Sequence, residues 1–218
     1  MSTVKGADAH PAGFRHPLAH LPQLQLAGKP GAAPPDDEAC FDLWRKYAML
    51  PNVQRHSLMV AHIATRLASR AYERGFDVHV PEVRASALLH DIAKTYCLHH
   101  GGSHAMLGAA WVVYETGNYN LARGVMLHVH WPWEVPSGPE VCTLPFFVIY
   151  ADKRVRHDVC VSLDERYADL RERYGRTAAA LEGLRASCEQ GKTIERALSA
   201  HLGWTLHEDT FDCGRLVQ

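Results

Sequence analysis

From Asn52 to about Arg74 the chain carries a long amphipathic stretch, with Val53, Met59, Val60, Ile63, Ala64 and Leu67 falling on one helical face. A stripe of that length has to be buried against other elements, and everything around it carries the same period. Strand signals are almost absent: no alternating run flanks an Asn-Gly or Asp-Gly turn. No internal repeat is visible. The sequence therefore predicts an all-α bundle over residues 36–203.

Punctuation divides that bundle. Residues 1–35 hold six prolines and four glycines, which leave no helical or strand period and read as a flexible tail or a docking arm. Asp36 or Asp37 caps a helix through Phe41, Leu43, Trp44 and Tyr47, and Pro51 breaks it. Asn52 is expected to cap the long helix, which Gly75 closes. Pro81 opens a helix over 82–94, with Val83, Ala87, Leu88 and Ile92 on its inner face. Gly101-Gly102 form a loop, Ser103 caps the next helix, and Gly117 ends it. Asn120 starts another that reaches His128. Residues 129–139 contain Pro132, Pro136 and Pro139 and read as a loop. The segment from Leu144 is apolar and then charged, two helices follow at 163–174 and 177–201, and 204–218 is a short tail.

A chain of 218 residues suits one domain. Its formal net charge of −1 provides no basic field for long nucleic acid. Six cysteines form no CxxC pair and read as reduced thiols. No signal segment and no run of about 20 apolar residues is present, so a soluble cytoplasmic protein is expected, with no membrane partner and an oligomer left open.

The unusual number is 15 histidines. Histidine is the commonest metal ligand, and His56, His90, Asp91, His104, His128 and Asp152 all fall near helix ends or on the helix expected at 82–94. Helices meeting in a bundle can build a site from such positions. The mixed nitrogen and oxygen set favours Fe or Mn, with Co, Ni or Zn as alternatives, over Ca or Mg. The absence of thiolate argues against a finger-type zinc site. With Asp91 bridging, His56, His90 and Asp152 can hold one ion and His104 with His128 a second, which leaves positions for water and phosphoryl oxygens.

The motifs Arg55-His56, Leu88-Leu89-His90-Asp91-Ile92-Ala93-Lys94, His104-Ala105-Met106-Leu107-Gly108-Ala109 and Tyr150-Ala151-Asp152-Lys153 occur in one order across roughly residues 52–158. This pattern resembles the HD superfamily of metal-dependent phosphohydrolases. Within it, the chain is most similar to the small bacterial proteins that cleave dinucleoside tetraphosphates symmetrically. His128-Val129-His130-Trp131 stands where those proteins show a His-Thr pair. The resemblance implies an HD-type helical bundle and a phosphorylated small-molecule substrate, a nucleotide or dinucleotide. Di-iron oxygenase chemistry is the second reading and a non-catalytic nucleotide-binding module the third.

Asp91 and Lys94 are the expected catalytic residues. Lys94 is read as a phosphate ligand or as a surface lysine whose stem lies on apolar surface. Arg55, Lys153, Arg154 and Arg156 are further phosphate candidates, although a solvated helix face explains Arg154 and Arg156 equally well. His130, Trp131 and Trp133 either line a base pocket or staple their loop to the core.

Overall fold

The computed structural model describes residues 32–213. Among these, α1 (Asp37–Lys46), α2 (Pro51–Glu73), α3 (Val80–Leu89), α4 (Lys94–His100), α5 (His104–Thr116) and α6 (Tyr119–Leu127) come first. They are followed by α7 (Leu144–Lys153), a hairpin of β1 (Val155–Arg156) and β2 (Val159–Cys160), then α8 (Leu163–Tyr174) and α9 (Ala178–Leu202). The all-α expectation holds. The tail expected at 1–35 lies outside the described residues up to position 31. No helix of the described residues is long and apolar enough to cross a membrane.

The long stripe is the centre of the core. Val60, Ile63, Ala64 and Leu67 of α2 are fully buried, and α2 packs on α3 and α7. Helix α7 is buried on nearly all sides, from Leu144 through Ala151. A helix that is apolar all round has no single stripe to set its orientation; its neighbours set it. Gly124 lets α6 come close. A Cβ there would collide with both Leu144 Cδ2 and Ser86 Oγ, so only glycine allows α6, which His128 directly follows, to sit against α3 and α7.

Three boundaries differ from expectation. Pro51 does not merely break α1; it opens α2 from the first helical position, where its missing N–H costs nothing. Leu50 is the cap residue, and its N–H is taken by Thr95 Oγ1 at 3.0 Å. Asn118, not Asn120, caps α6, with Oδ1 accepting from Leu121 N at 2.9 Å.

The third difference bears on function: the helix expected over 82–94 stops at Leu89, and His90–Ala93 form a turn before α4. Apolar Ile92 keeps the helical period while the backbone leaves the helix. Side chains take up carbonyls freed at the end of α3. His90 Nδ1 bonds Ala87 O at 2.7 Å, and Trp44 Nε1 bonds Leu88 O at 2.9 Å.

The hairpin pairs Val155 with Cys160 and Arg156 with Val159. Its turn lacks glycine, and His157 takes the left-handed conformation at φ 59° instead. The segment past Leu202, expected to be a tail, is part of the core through Cys213: Leu206 and Phe211 are fully buried.

Helix α8 starts at a capping box, in which Ser162 Oγ accepts from Glu165 N at 3.2 Å and Glu165 Oε2 accepts from Ser162 N at 2.8 Å. Ser162→Ala should cost about 1 kcal/mol. That corresponds to a melting point lower by roughly 2–4 °C for a domain of this size, with metal content unchanged, as thermal unfolding and metal analysis would read. An unaltered melting point would mean that the hairpin, not the cap, sets where α8 begins.

Candidate metal centre

Asp91 occupies the tight turn between α3 and α4, and its carboxylate is completely buried. Two groups of imidazoles face its two oxygens. On the Oδ1 side lie His104 Nε2 at 3.3 Å, from the first turn of α5, and His128 Nε2 at 3.6 Å, from the end of α6. On the Oδ2 side lie His90 Nε2 at 3.3 Å and His56 Nε2 at 3.9 Å. Asp152, from the last turn of α7, completes that second group: its Oδ1 is 2.9 Å from His56 Nε2 and 3.7 Å from His90 Nε2. All six expected ligands are therefore brought together.

The rings are aimed by their other nitrogens. His56 Nδ1 lies 2.8 Å from His157 O, His90 Nδ1 2.7 Å from Ala87 O, and His128 Nδ1 2.6 Å from Val125 O. A carbonyl can only accept, so each Nδ1 carries the proton, and in a neutral ring Nε2 keeps its lone pair. Metal-binding histidines are oriented in this way. The strained His157 thus has a use, because its carbonyl fixes the His56 ring.

The donor set fits metal ions. His90 Nε2 and Asp91 Oδ1 are buried without a hydrogen-bond partner, a costly state for polar atoms that a bound cation relieves. His104 Nε2 and His128 Nε2 are 3.2 Å apart. Two nitrogens each about 2.1 Å from one ion stand roughly 3.0–3.4 Å apart at tetrahedral to octahedral angles. His56, His90 and Asp152 form one group that could hold an ion; His90, Asp91 and His128 form another.

Protonation suits the same role. Burial pushes His104 down to about 4 and so keeps its ring neutral at physiological pH. Burial would raise Asp91 and Asp152, but the facing His90 and Lys94 hold Asp91 well below the usual carboxylate range, and His56 does the same for Asp152.

Comparison with known families bears on this geometry directly: the family described as HD domain matches residues 53–174. The chain belongs to the HD-domain family. No curated protein and no solved structure matches it. The HD-domain match runs from the start of α2 to the end of α8 and contains all six clustered residues. It places the chain in a superfamily of metal-dependent phosphohydrolases, and its His/Asp groups could hold a metal.

Beside the HD centre a cleft of about 470 Å³ opens to solvent, with His56, Asp91 and Lys94 in its wall. Lys94 begins α4 rather than lying one turn along the helix from His90, and its Nζ is 2.6 Å from Asp91 Oδ2. Burial opposes its charge, but Asp91 and Asp152 raise its pKa and keep it protonated. Arg55 lines the same cleft, 3.1 Å from Asp158.

Other expected substrate residues stand elsewhere. Lys153 is buried, and its Nζ donates to Val129 O at 2.9 Å; it ties α7 to the loop after α6 and does not face the cleft. Trp131 is buried on Phe146. Its Nε1 donates to Glu134 O at 3.1 Å, and Gln190 brackets its backbone from both sides. Trp131 lines a separate cavity near Val78 and Glu140. Trp133 is exposed and sets its ring edgewise on Trp131. His130 is exposed and, like both tryptophans, absent from the cleft wall. Trp131 thus packs as a staple of its loop, one of the two roles expected for it, and Trp133 leans on it from the solvent side.

Sequence reading overlooked the opposite wall of the cleft, formed by Arg166, Leu170, Arg173 and Tyr174 of α8. Their spacing of four, three and one puts them on one helical face. That regularity was available in a segment that otherwise reads only as rich in Glu and Arg.

Proposed function

We propose that this HD protein is a phosphohydrolase that cleaves a phosphoester or phosphoanhydride of a nucleotide or dinucleotide at a two-ion centre. The observation that carries the reading is Asp91, whose two oxygens face separate groups of ring nitrogens, with one group completed by Asp152. Divalent ions held by these residues would supply Lewis acidity and a water that is nucleophilic at neutral pH. Asp91 and Asp152 remain ionised and would anchor the cations. Lys94 stands between Asp91 and the cleft, where its ammonium can meet a phosphoryl oxygen and offset charge that grows during transfer. Arg55 supplies a second cation at the rim. Fe or Mn suits the mixed donor set best.

Purification without oxygen, metal analysis and a panel of phosphorylated compounds test this reading. Mn²⁺ or Co²⁺ should support phosphate release in the absence of dioxygen. Turnover that requires both iron and dioxygen would replace the hydrolase by an oxygenase. Nucleotide binding with no turnover under any metal would make the chain a regulatory module.

A further inference from the structure

The α8 wall of the cleft has a composition that hydrolysis at the centre does not itself require. Helix α8 is anchored by Leu163 and Tyr167, which are buried, and Tyr167 Oη bonds Ser187 Oγ of α9 at 2.6 Å. The face turned to the cleft presents Arg166, Leu170, Arg173 and Tyr174. Asp169 stands between the two arginines: Arg166 Nη1 is 3.4 Å from its Oδ2, and Arg173 Nη2 hydrogen-bonds the same oxygen. One carboxylate thus orients two guanidiniums and leaves a positive excess.

Each guanidinium has five N–H donors, and the contact with Asp169 uses few of them. Arg173 Nε is buried without a partner, although a buried N–H left unpaired is costly. Arg166 adds a second cost. It lies in the opening part of α8, where the helix dipole disfavours a cation, and its side chain is only 13% exposed. Two oriented, under-used forks in a cleft are suited to bidentate recognition of phosphate oxygens. Beyond them, Tyr174 and Leu98 keep apolar surface in the same cleft, 58% and 67% exposed.

We infer that Arg166 and Arg173 form a second anion subsite, which holds a phosphate next to the one being cleaved and selects linked phosphates over a lone phosphomonoester. This inference rests on the hydrolase reading for its catalytic consequence but not for the binding itself. Asp169 is a positioning residue for both forks.

The test compares wild type with R166Q/R173Q, and with R171Q as a control, because Arg171 lies on α8, is exposed and does not line the cleft. Calorimetry with inorganic tripolyphosphate and orthophosphate, Mn²⁺ being in excess over both, reads binding alone. Wild type and R171Q should prefer tripolyphosphate by tenfold or more, and R166Q/R173Q should lose that preference while still binding orthophosphate. In turnover, the double variant should raise KM for a nucleoside polyphosphate about tenfold or more and leave p-nitrophenyl phosphate within twofold. A wild type without any tripolyphosphate preference, or a double variant that keeps it, overturns the subsite. So do equal losses on both esters with a native circular-dichroism spectrum. If neither ester is hydrolysed with any metal but the calorimetric preference follows the arginines, the subsite stands and the hydrolase reading falls.

Discussion

Asp91→Asn should strip metal from both halves of the centre and lower the proposed phosphohydrolase activity by about a hundred- to a thousandfold, on the scale of losing a dominant electrostatic group. Each oxygen of Asp91 faces ring nitrogens, His104 and His128 on one side and His90 and His56 on the other. The amide keeps the shape but removes the charge that draws the cations together. It also leaves Lys94, 2.6 Å away, as an ammonium against a set of imidazoles. Loss of a residue that merely orients a ligand weakens metal binding about 10–100-fold, so a shared ligand should exceed that range at each position. His128→Ala should behave differently, because its ring faces only the Oδ1 side, and mainly one ion should be lost. Metal-to-protein ratios after desalting read both variants, alongside circular dichroism to show that the bundle is intact. Two ions per chain in the Asp91 variant would end the bridging assignment.

The six clustered residues were legible in the sequence for a physical reason. Each belongs to a short motif whose neighbours are themselves constrained: Ser103 before His104 as a cap, Ala87 and Leu88 before His90 as core. The backbone at His90–Ala93 was not legible, because Ile92 satisfies the helical period whether or not the helix continues. The turn matters for function, since it aims Asp91 inward and starts α4 at Lys94.

Trp131 and Lys153 do not line the cleft, for a different reason. Position next to a ligand says nothing about which way a side chain leaves the backbone, and both turn away into packing contacts. The α8 wall had the opposite difficulty. Arg166 and Arg173 show a regular helical face, but no periodicity says that the face lies across a cleft from residues far away in the chain. The hairpin was missed because its turn is made by His157 in a conformation usually left to glycine or asparagine.

Arg154 follows Asp152 by two positions and reads, from sequence, as a phosphate ligand or a solvated charge. In the fold it is only 2% exposed and holds three elements at once. Its Nε donates to Val161 O at 2.6 Å after the hairpin, Nη1 to Leu206 O at 2.6 Å and to Tyr150 Oη, and Nη2 to Asp209 O at 2.7 Å. Tyr150 Oη in turn bonds Glu195 of α9 at 2.6 Å, and the guanidinium lies 5.2 Å from the centre of the Phe211 ring. Removing the cation by Arg154→Leu would strand these acceptors and leave Glu195 without its counter-charge. Breaking a buried pair from one side costs about 3–5 kcal/mol. At roughly 2–4 °C per kcal/mol for a domain of this size, the melting point should fall by about 6–20 °C. Below that transition, metal content and KM should remain near wild type, because Arg154 does not line the cleft. A melting point held within a degree, with KM raised tenfold, would return Arg154 to the substrate and remove it from the scaffold.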